Sequence, residues 1–186
     1  MGTYINIGAC LLFGSEFLIF LLKRSKSSET KVKRDKLSAP IFWIVIPASI
    51  FFGAHTSEYC QIIGNYRPIF IGAIITIIIG LIIRWTAILQ LKKAFTIDVA
   101  IAHDHKIKKD GLYKIIRHPS YLGLILEFFG FSLMFNSWSS AFIITMPLLF
   151  ALIYRMKIEE ELLVNTFGSD YQEYMKKTKR LLPGIY

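Results

Sequence analysis

The chain has 186 residues, of which 54% are hydrophobic, and its formal net charge is +9. This length fits one domain of ordinary size. The apolar residues lie in long runs separated by short charged stretches, and too little polar chain remains to cover those runs in water. The composition therefore excludes a soluble globular domain and predicts an all-α integral membrane protein, a single domain over residues 1–186.

Five apolar runs follow one another along the chain. A transmembrane helix needs roughly 20 apolar residues, with a lower limit near 17. The last two runs fall short of that length, so we interpret them as a tight helical hairpin whose ends extend into the polar flanks. The five predicted spans cover residues 4–22, 39–58, 69–91, 120–135 and 139–154, and a tail of residues 155–186 follows them.

The basic residues predict the orientation in the membrane. The segments 23–36 and 92–117 and the tail from residue 155 together hold 20 of the 22 lysines and arginines. By the positive-inside rule, these alternate segments are cytoplasmic, which places the N-terminus outside and the C-terminus in the cytoplasm. The short N-terminus lacks a basic n-region, so no cleaved signal peptide is expected. Topology and binding of anionic lipid headgroups account for the positive charge without a nucleic-acid partner.

Three charged residues interrupt the apolar runs. Glu16, Arg84 and Glu127 are costly in hydrocarbon, so we expect them to face the bundle interior, a water-filled cavity or the interface. Arg84 and Glu16 lie near the ends of their runs and could snorkel to the interface.

Cys10 and Cys60 have neither CxxC nor zinc-like spacing, and no metal site is predicted.

The loop before the fourth span is too long for a simple connector. It reads FTIDVAIAHDHKIKKDGLYKIIRHPSY over residues 95–121, and loops of this length are usually functional or disordered. Pro119 suits the first turn of a helix, with His118 as its cap, and a helix start is itself an anion site. Arg117 could grip a carboxylate with two parallel bonds. Alternatively, Arg117 anchors at lipid headgroups and Tyr121 belongs to the aromatic belt.

The tail offers a second group of chemically active side chains. Arg155 and Glu159 are four residues apart, and Glu159 and Glu160 lie about 100° apart around a helix. One glutamate could therefore face a pocket while the other pairs with basic residues. The alternative is an amphipathic surface helix with an ordinary ion pair.

Two separated motifs resemble the isoprenylcysteine carboxyl methyltransferase family. They are HKIKKDGLYKIIRHPSYLG at residues 105–123 and the tail pattern from Arg155 through Glu159-Glu160 to the final RLLPG. The likeness covers about half of the chain and departs from the family's usual apolar residue at Lys108. It implies an S-adenosylmethionine-dependent methyltransferase with a cytoplasmic cofactor pocket and an acceptor that enters from the lipid. The resemblance assigns to the cofactor pocket His105, Tyr113, Arg117, His118, Tyr121, Glu159 and Glu160.

The expected chemistry suits these residue types. Methyl transfer needs the acceptor, the methyl group and the sulfur in line in a dry site. A carboxylate acceptor is already ionised at neutral pH, so no general base is required. Arg155 is expected to hold the acceptor carboxylate, and Glu159 to act with it at the catalytic centre while binding the cofactor's hydroxyl or amino groups.

Other functions remain open at this stage. A phospholipid amine N-methyltransferase shares parts of the pattern, and so does a nicotinamide-dependent membrane reductase. A membrane protein without enzymatic activity is a further alternative. The sequence has no recognisable phosphate-binding loop, which counts against the reductase. The expected partners are a lipophilic or prenylated acceptor and membrane lipids.

Overall fold

The chain folds into a bundle of α-helices. The structure is a computed structural model that describes residues 2–23, 38–62, 66–91 and 107–184. The helices are α1 (Gly2–Lys23), α2 (Ser38–His55), α3 (Tyr66–Leu91), α4 (Pro119–Leu133), α5 (Trp138–Phe167) and α6 (Ser169–Lys177). Within these ranges the β-type pairing is limited to two isolated bridges, so the predicted all-helical class is confirmed.

Three of the helices are long and apolar enough to cross a membrane. They are α1, α3 and α5, whereas α4 is apolar but only 15 residues long. Large apolar side chains on the outer face of the bundle, such as Phe17, Ile82 and Phe150, are more than 60% exposed. A surface of this kind fits lipid rather than water. The integral membrane prediction is thereby supported by helix length and by the surface of the bundle.

Helices α3 and α4 pack with their backbones in close contact. A Cβ atom added at Gly80 would lie 2.7 Å from the carbonyl oxygen of Gly123, and one added at Gly130 would lie 2.7 Å from the carbonyl oxygen of Ala73. Small residues allow this close approach, which is typical of helix packing in membranes. The close contact fixes the position of α4, whose first turn leads into the candidate site.

Helix α5 extends well beyond the last predicted span. Its 30 residues rise about 45 Å, whereas the hydrocarbon core is about 30 Å thick. Glu159 and Glu160 lie on the C-terminal part of this helix, beyond the apolar run that ends at Tyr154. The helix ends at Gly168, whose φ of 58° is a conformation that glycine adopts without strain.

The charged residues within the spans lie inside the bundle. Arg84 is buried, and its Nε and Nη2 atoms donate to the two carboxylate oxygens of Glu16 at 2.5 and 2.6 Å. The prediction that Arg84 snorkels to the interface is therefore wrong, because Glu16 on α1 neutralises its charge inside the bundle. Glu127 is completely buried, and its carboxylate oxygens have no hydrogen-bond partner among the described residues.

The close α3–α4 contact gives a test of the packing. We expect Gly80→Val to destabilise the protein by about 1–3 kcal/mol, because the added carbons would overlap the backbone of α4. Gly72→Val is the matched control on the same helix, since nothing lies within 4 Å of a Cβ at that position. Unfolding of both variants in the same detergent measures the difference. Equal stability of the two variants would contradict the packing described here.

Candidate active site

The loop before α4 and the C-terminal tail form one structural unit. The backbone N–H of Arg117 donates to the Lys179 carbonyl at 2.8 Å, and that of His118 donates to the Arg180 carbonyl at 3.0 Å. These two bonds continue an isolated parallel bridge between Ile116 and Lys179. The tail therefore lies directly against the residues that lead into α4.

The Glu160 carboxylate is the centre of this unit. Its Oε1 atom accepts from Arg117 Nε at 2.7 Å and lies 3.1 Å from His118 Nε2. Its Oε2 atom accepts from Nε and Nη2 of Arg180 at 2.9 and 2.7 Å. Only 3% of the Glu160 side chain is exposed, so these contacts are protected from water. One carboxylate thus connects α5, the start of α4 and the tail.

The protonation state of Glu160 follows from these contacts. Burial alone raises the pKa of this carboxyl group, but hydrogen bonds from His118, Arg180 and Arg117 outweigh burial and lower the pKa to about 2. The carboxylate is therefore ionised at every physiological pH. Because the group is ionised, it offers acceptors alone, which matches the donors around it.

Arg117 is held by the tail as well as by Glu160. Its Nη1 atom donates to the backbone carbonyl of Met175 at 3.2 Å and also to that of Thr178. The guanidinium group therefore connects the C-terminal end of α6 to the loop before α4. The alternative of a simple headgroup anchor is not favoured by this geometry, because three protein acceptors surround the group.

A second chain of contacts runs through the Tyr121 hydroxyl. This hydroxyl donates to Glu159 Oε2 at 2.7 Å and accepts from Arg155 Nε at 3.0 Å. The His118 and Tyr121 rings stack at 5.4 Å, with 7° between their planes. His118 Nδ1 lies 3.9 Å from Glu159 Oε2. The predicted residues Arg155, Glu159, His118 and Tyr121 are therefore brought together.

Tyr113 lies to one side of this centre. It is buried in a short 3₁₀ turn, Gly111–Lys114. Its hydroxyl donates to the Ala87 carbonyl on α3 at 3.3 Å, and its own carbonyl accepts from the Tyr174 hydroxyl at 2.6 Å. Burial raises the pKa of Tyr113 and that of Tyr174, the latter to about 12, so both hydroxyls remain donors. Tyr113 thus connects the turn to α3 and α6.

Sequence reasoning did not single out two residues that complete the site. Arg180 pairs with Glu160, and Tyr174 holds the turn through Tyr113. Both residues lie within the tail pattern, and Arg180 is the first residue of RLLPG. Membership of that pattern was the signal that could have identified them. His105 lies outside the described residues. Within the described ranges, no group of three or more metal-binding side chains occurs.

An apolar groove lies beside the polar centre. Its volume is about 350 Å³, and it is lined by leucine and isoleucine side chains. The groove lies between α4, α5 and the C-terminal tail. Its walls are formed by Leu122, Ile125, Leu149, Ile153, Leu181 and Leu182.

Comparison with known proteins identifies similar sequences. The sequence model of the isoprenylcysteine carboxyl methyltransferase (ICMT) family matches residues 73–165. The protein-S-isoprenylcysteine O-methyltransferase of Schizosaccharomyces pombe is 31% identical over 109 residues, which cover 58% of this chain and 46% of that protein. Protein-S-isoprenylcysteine O-methyltransferase B of Arabidopsis thaliana is 33% identical over 111 residues, covering 59% of this chain and 56% of that protein. The chain therefore spans about half the length of these relatives.

Other relatives have a different named activity. The methanethiol S-methyltransferase of Pseudomonas deceptionensis is 36% identical over 88 residues, covering 44% of this chain and 30% of that protein. Among solved structures, the eukaryotic intramembrane Ras methyltransferase ICMT is similar, with a TM-score of 0.65 at 20% identity. That match covers 99% of this chain and 66% of the other chain, which shows a shared membrane fold.

The Glu160 contacts predict a large loss of stability on substitution. Glu160→Gln removes the charge that compensates two arginines, and breaking a buried ion pair in this way costs about 3–5 kcal/mol. Glu161→Gln is the matched control, since Glu161 is the next residue and is exposed. Unfolding of both variants in detergent should separate them clearly. A Glu160→Gln protein as stable as the control would show that the three contacts do not hold the tail.

Proposed function

Because the chain belongs to the isoprenylcysteine carboxyl methyltransferase family, we propose that it transfers a methyl group from S-adenosylmethionine to the carboxylate of a lipophilic acceptor. An isoprenylcysteine-like thioether acid is the acceptor class that we favour. The observation that carries this proposal is the Tyr121 hydroxyl, which joins buried Arg155 to Glu159 on the two helices, α4 and α5, that also line the apolar groove. A group that can bind a carboxylate and a surface that suits a hydrocarbon chain thus belong to the same pair of helices.

The proposed topology has five membrane spans, one for each of α1 to α5. Helix α4 rises only about 23 Å over its 15 residues, so it crosses the hydrocarbon together with its flanking residues. The distribution of basic residues supports an N-terminus outside and a C-terminus in the cytoplasm. In this orientation the site opens to the cytoplasm, where a charged and water-soluble cofactor is available.

The residues around Glu159 fit the cofactor. Its side chain is 33% exposed, and among the described residues Tyr121 is the hydrogen-bond donor to its carboxylate. The group thus retains acceptor capacity for ribose hydroxyls or an amino group. The stacked His118 and Tyr121 rings offer an aromatic surface of the kind that attracts a cationic centre. S-adenosylmethionine would supply a methyl group activated by a sulfonium.

The other residues assigned to the cofactor pocket have two kinds of role in this proposal. Glu159, His118 and Tyr121 provide the binding surface, together with His105 from the preceding segment. Glu160 and Arg117 hold the pocket closed by joining the tail to the loop, and Tyr113 supports the loop from α3. This division follows from the contacts, because the carboxylate oxygens of Glu160 are already shared among three cationic or hydrogen-bonding side chains.

Arg155 is proposed to hold the acceptor carboxylate. The residue is 9% exposed, so an ion pair formed there would be strong in the absence of water. The Tyr121 hydroxyl fixes the Nε side of its guanidinium group. The carboxylate needs no base, so the protein has to align the acceptor and keep water away. The burial of Arg155 serves the second of these tasks.

A series of acceptors tests the proposal. Purified protein in nanodiscs should methylate an N-acetyl-S-farnesylcysteine but not its carboxamide, because the amide has no charge for Arg155 to bind. Arg155→Lys should raise KM for the acid at least about 10-fold, since an ammonium group cannot form the bidentate contact. Glu161→Gln serves as the unaffected control.

The same series includes a phospholipid amine and a short alkyl thiol. Methylation of either of these in preference to the acid would contradict the proposed acceptor class while retaining a methyltransferase. Absence of transfer to every acceptor, by a protein that is folded, would contradict the enzymatic proposal itself.

A further inference from the structure

Three helices meet at the side chain of Arg84, which lies outside the group of residues discussed so far. Arg84 on α3 donates to both carboxylate oxygens of Glu16 on α1. Its remaining guanidinium nitrogen, Nη1, donates to the backbone carbonyl of Ser120 on α4 at 3.0 Å. Only 6% of Arg84 is exposed. One buried cation therefore joins α1, α3 and α4.

The contact with Ser120 falls in the first turn of α4. Ser120 stands between Pro119 and Tyr121, and the backbone N–H groups of Tyr121 and Leu122 both donate to the His118 carbonyl. The position of the Ser120 carbonyl therefore fixes the turn that presents His118 and Tyr121. The aliphatic part of Arg84 also lies against Gly123, where an added Cβ would be 2.7 Å from Arg84 Cβ. The turn has little room to shift relative to α3.

Arginine suits this position better than lysine. A planar guanidinium group can bind one carboxylate through two nitrogens and still direct a third toward a carbonyl. Glu16 neutralises the charge, which would otherwise be costly inside the bundle. Glu16 also fixes the plane of the guanidinium group, and the plane decides whether Nη1 points at Ser120. Glu16 belongs to α1, which lies outside the residues that the family model matches.

We propose that Arg84, oriented by Glu16, is a positioning residue for the active site. The Arg84–Ser120 hydrogen bond sets the first turn of α4 so that Tyr121 meets Glu159 and Arg155. The kinetic part of this inference rests on the proposed methyl transfer. The structural part does not, because it concerns only the stability of one helical turn.

The test uses two variants and one control. Arg84→Lys keeps the charge but cannot make all three contacts, and the double variant Glu16→Gln with Arg84→Gln removes both charges of this ion pair if the first variant does not fold. Ser15→Ala is the control, because Ser15 accepts from Trp85 Nε1 at 2.8 Å and so joins α1 to α3 without reaching α4. Hydrogen exchange of the Tyr121 and Leu122 amides and steady-state kinetics are measured on all of them.

We expect both Arg84 variants to accelerate exchange in the first turn of α4 about 10-fold or more, since a hydrogen bond from a charged group is lost. They should lower kcat about 10- to 100-fold with little change in KM for the acceptor, because a small misplacement slows the reaction without removing the groove or Arg155. Ser15→Ala should do neither. Unchanged exchange, unchanged kcat, or an equal change in Ser15→Ala would each overturn the inference. Failure of the proposed function itself would instead appear as a wild-type protein without transfer and with normal exchange in this turn.

Discussion

The arrangement of the site depends on the carboxylate of Glu160. A buried carboxylate is costly unless it is fully paired, and here Arg117, His118 and Arg180 meet it from the loop and from the tail. The same three contacts bring two distant parts of the chain to the end of α5. Because α5 carries Glu159 one residue earlier and Arg155 one turn before that, the contacts of the tail with Glu160 also complete the surroundings of the proposed catalytic residues.

The packing of a membrane protein explains why the charged side chains around Glu160 are concentrated at one end of the bundle. The helices bury their small residues against one another and expose large apolar side chains outward, which leaves the polar chemistry to the end of the bundle. The long helix α5 carries its glutamates beyond its apolar run, and the groove lined by Leu149 and Ile153 of the same helix is apolar. In the proposed function, a polar cofactor and a lipophilic acceptor would approach one centre from two different media.

Much of this could be predicted from the sequence, because the patterns are local. The apolar runs indicated the helices, Pro119 indicated the start of α4, and two motifs indicated that the loop and the tail act together. Partners distant in sequence could not be predicted. The residues around Arg84 in the sequence do not show whether its side chain reaches the interface or pairs with Glu16. Glu159 and Glu160 are neighbours of the same type, and the sequence does not show which of them faces Arg180. The continuity of α5 was also missed, because the apolar run and the helical part of the charged tail were interpreted as separate segments.

The most direct test of this account is calorimetric titration of S-adenosylhomocysteine into the purified protein in nanodiscs. The account predicts micromolar binding by the wild-type protein and at least about 10-fold weaker binding by Glu159→Gln, because a charge-assisted hydrogen bond is lost while the Glu160 contacts remain. Glu161→Gln should bind as the wild-type protein does. A folded wild-type protein that does not bind S-adenosylhomocysteine would contradict the assignment of this site to a methyltransferase.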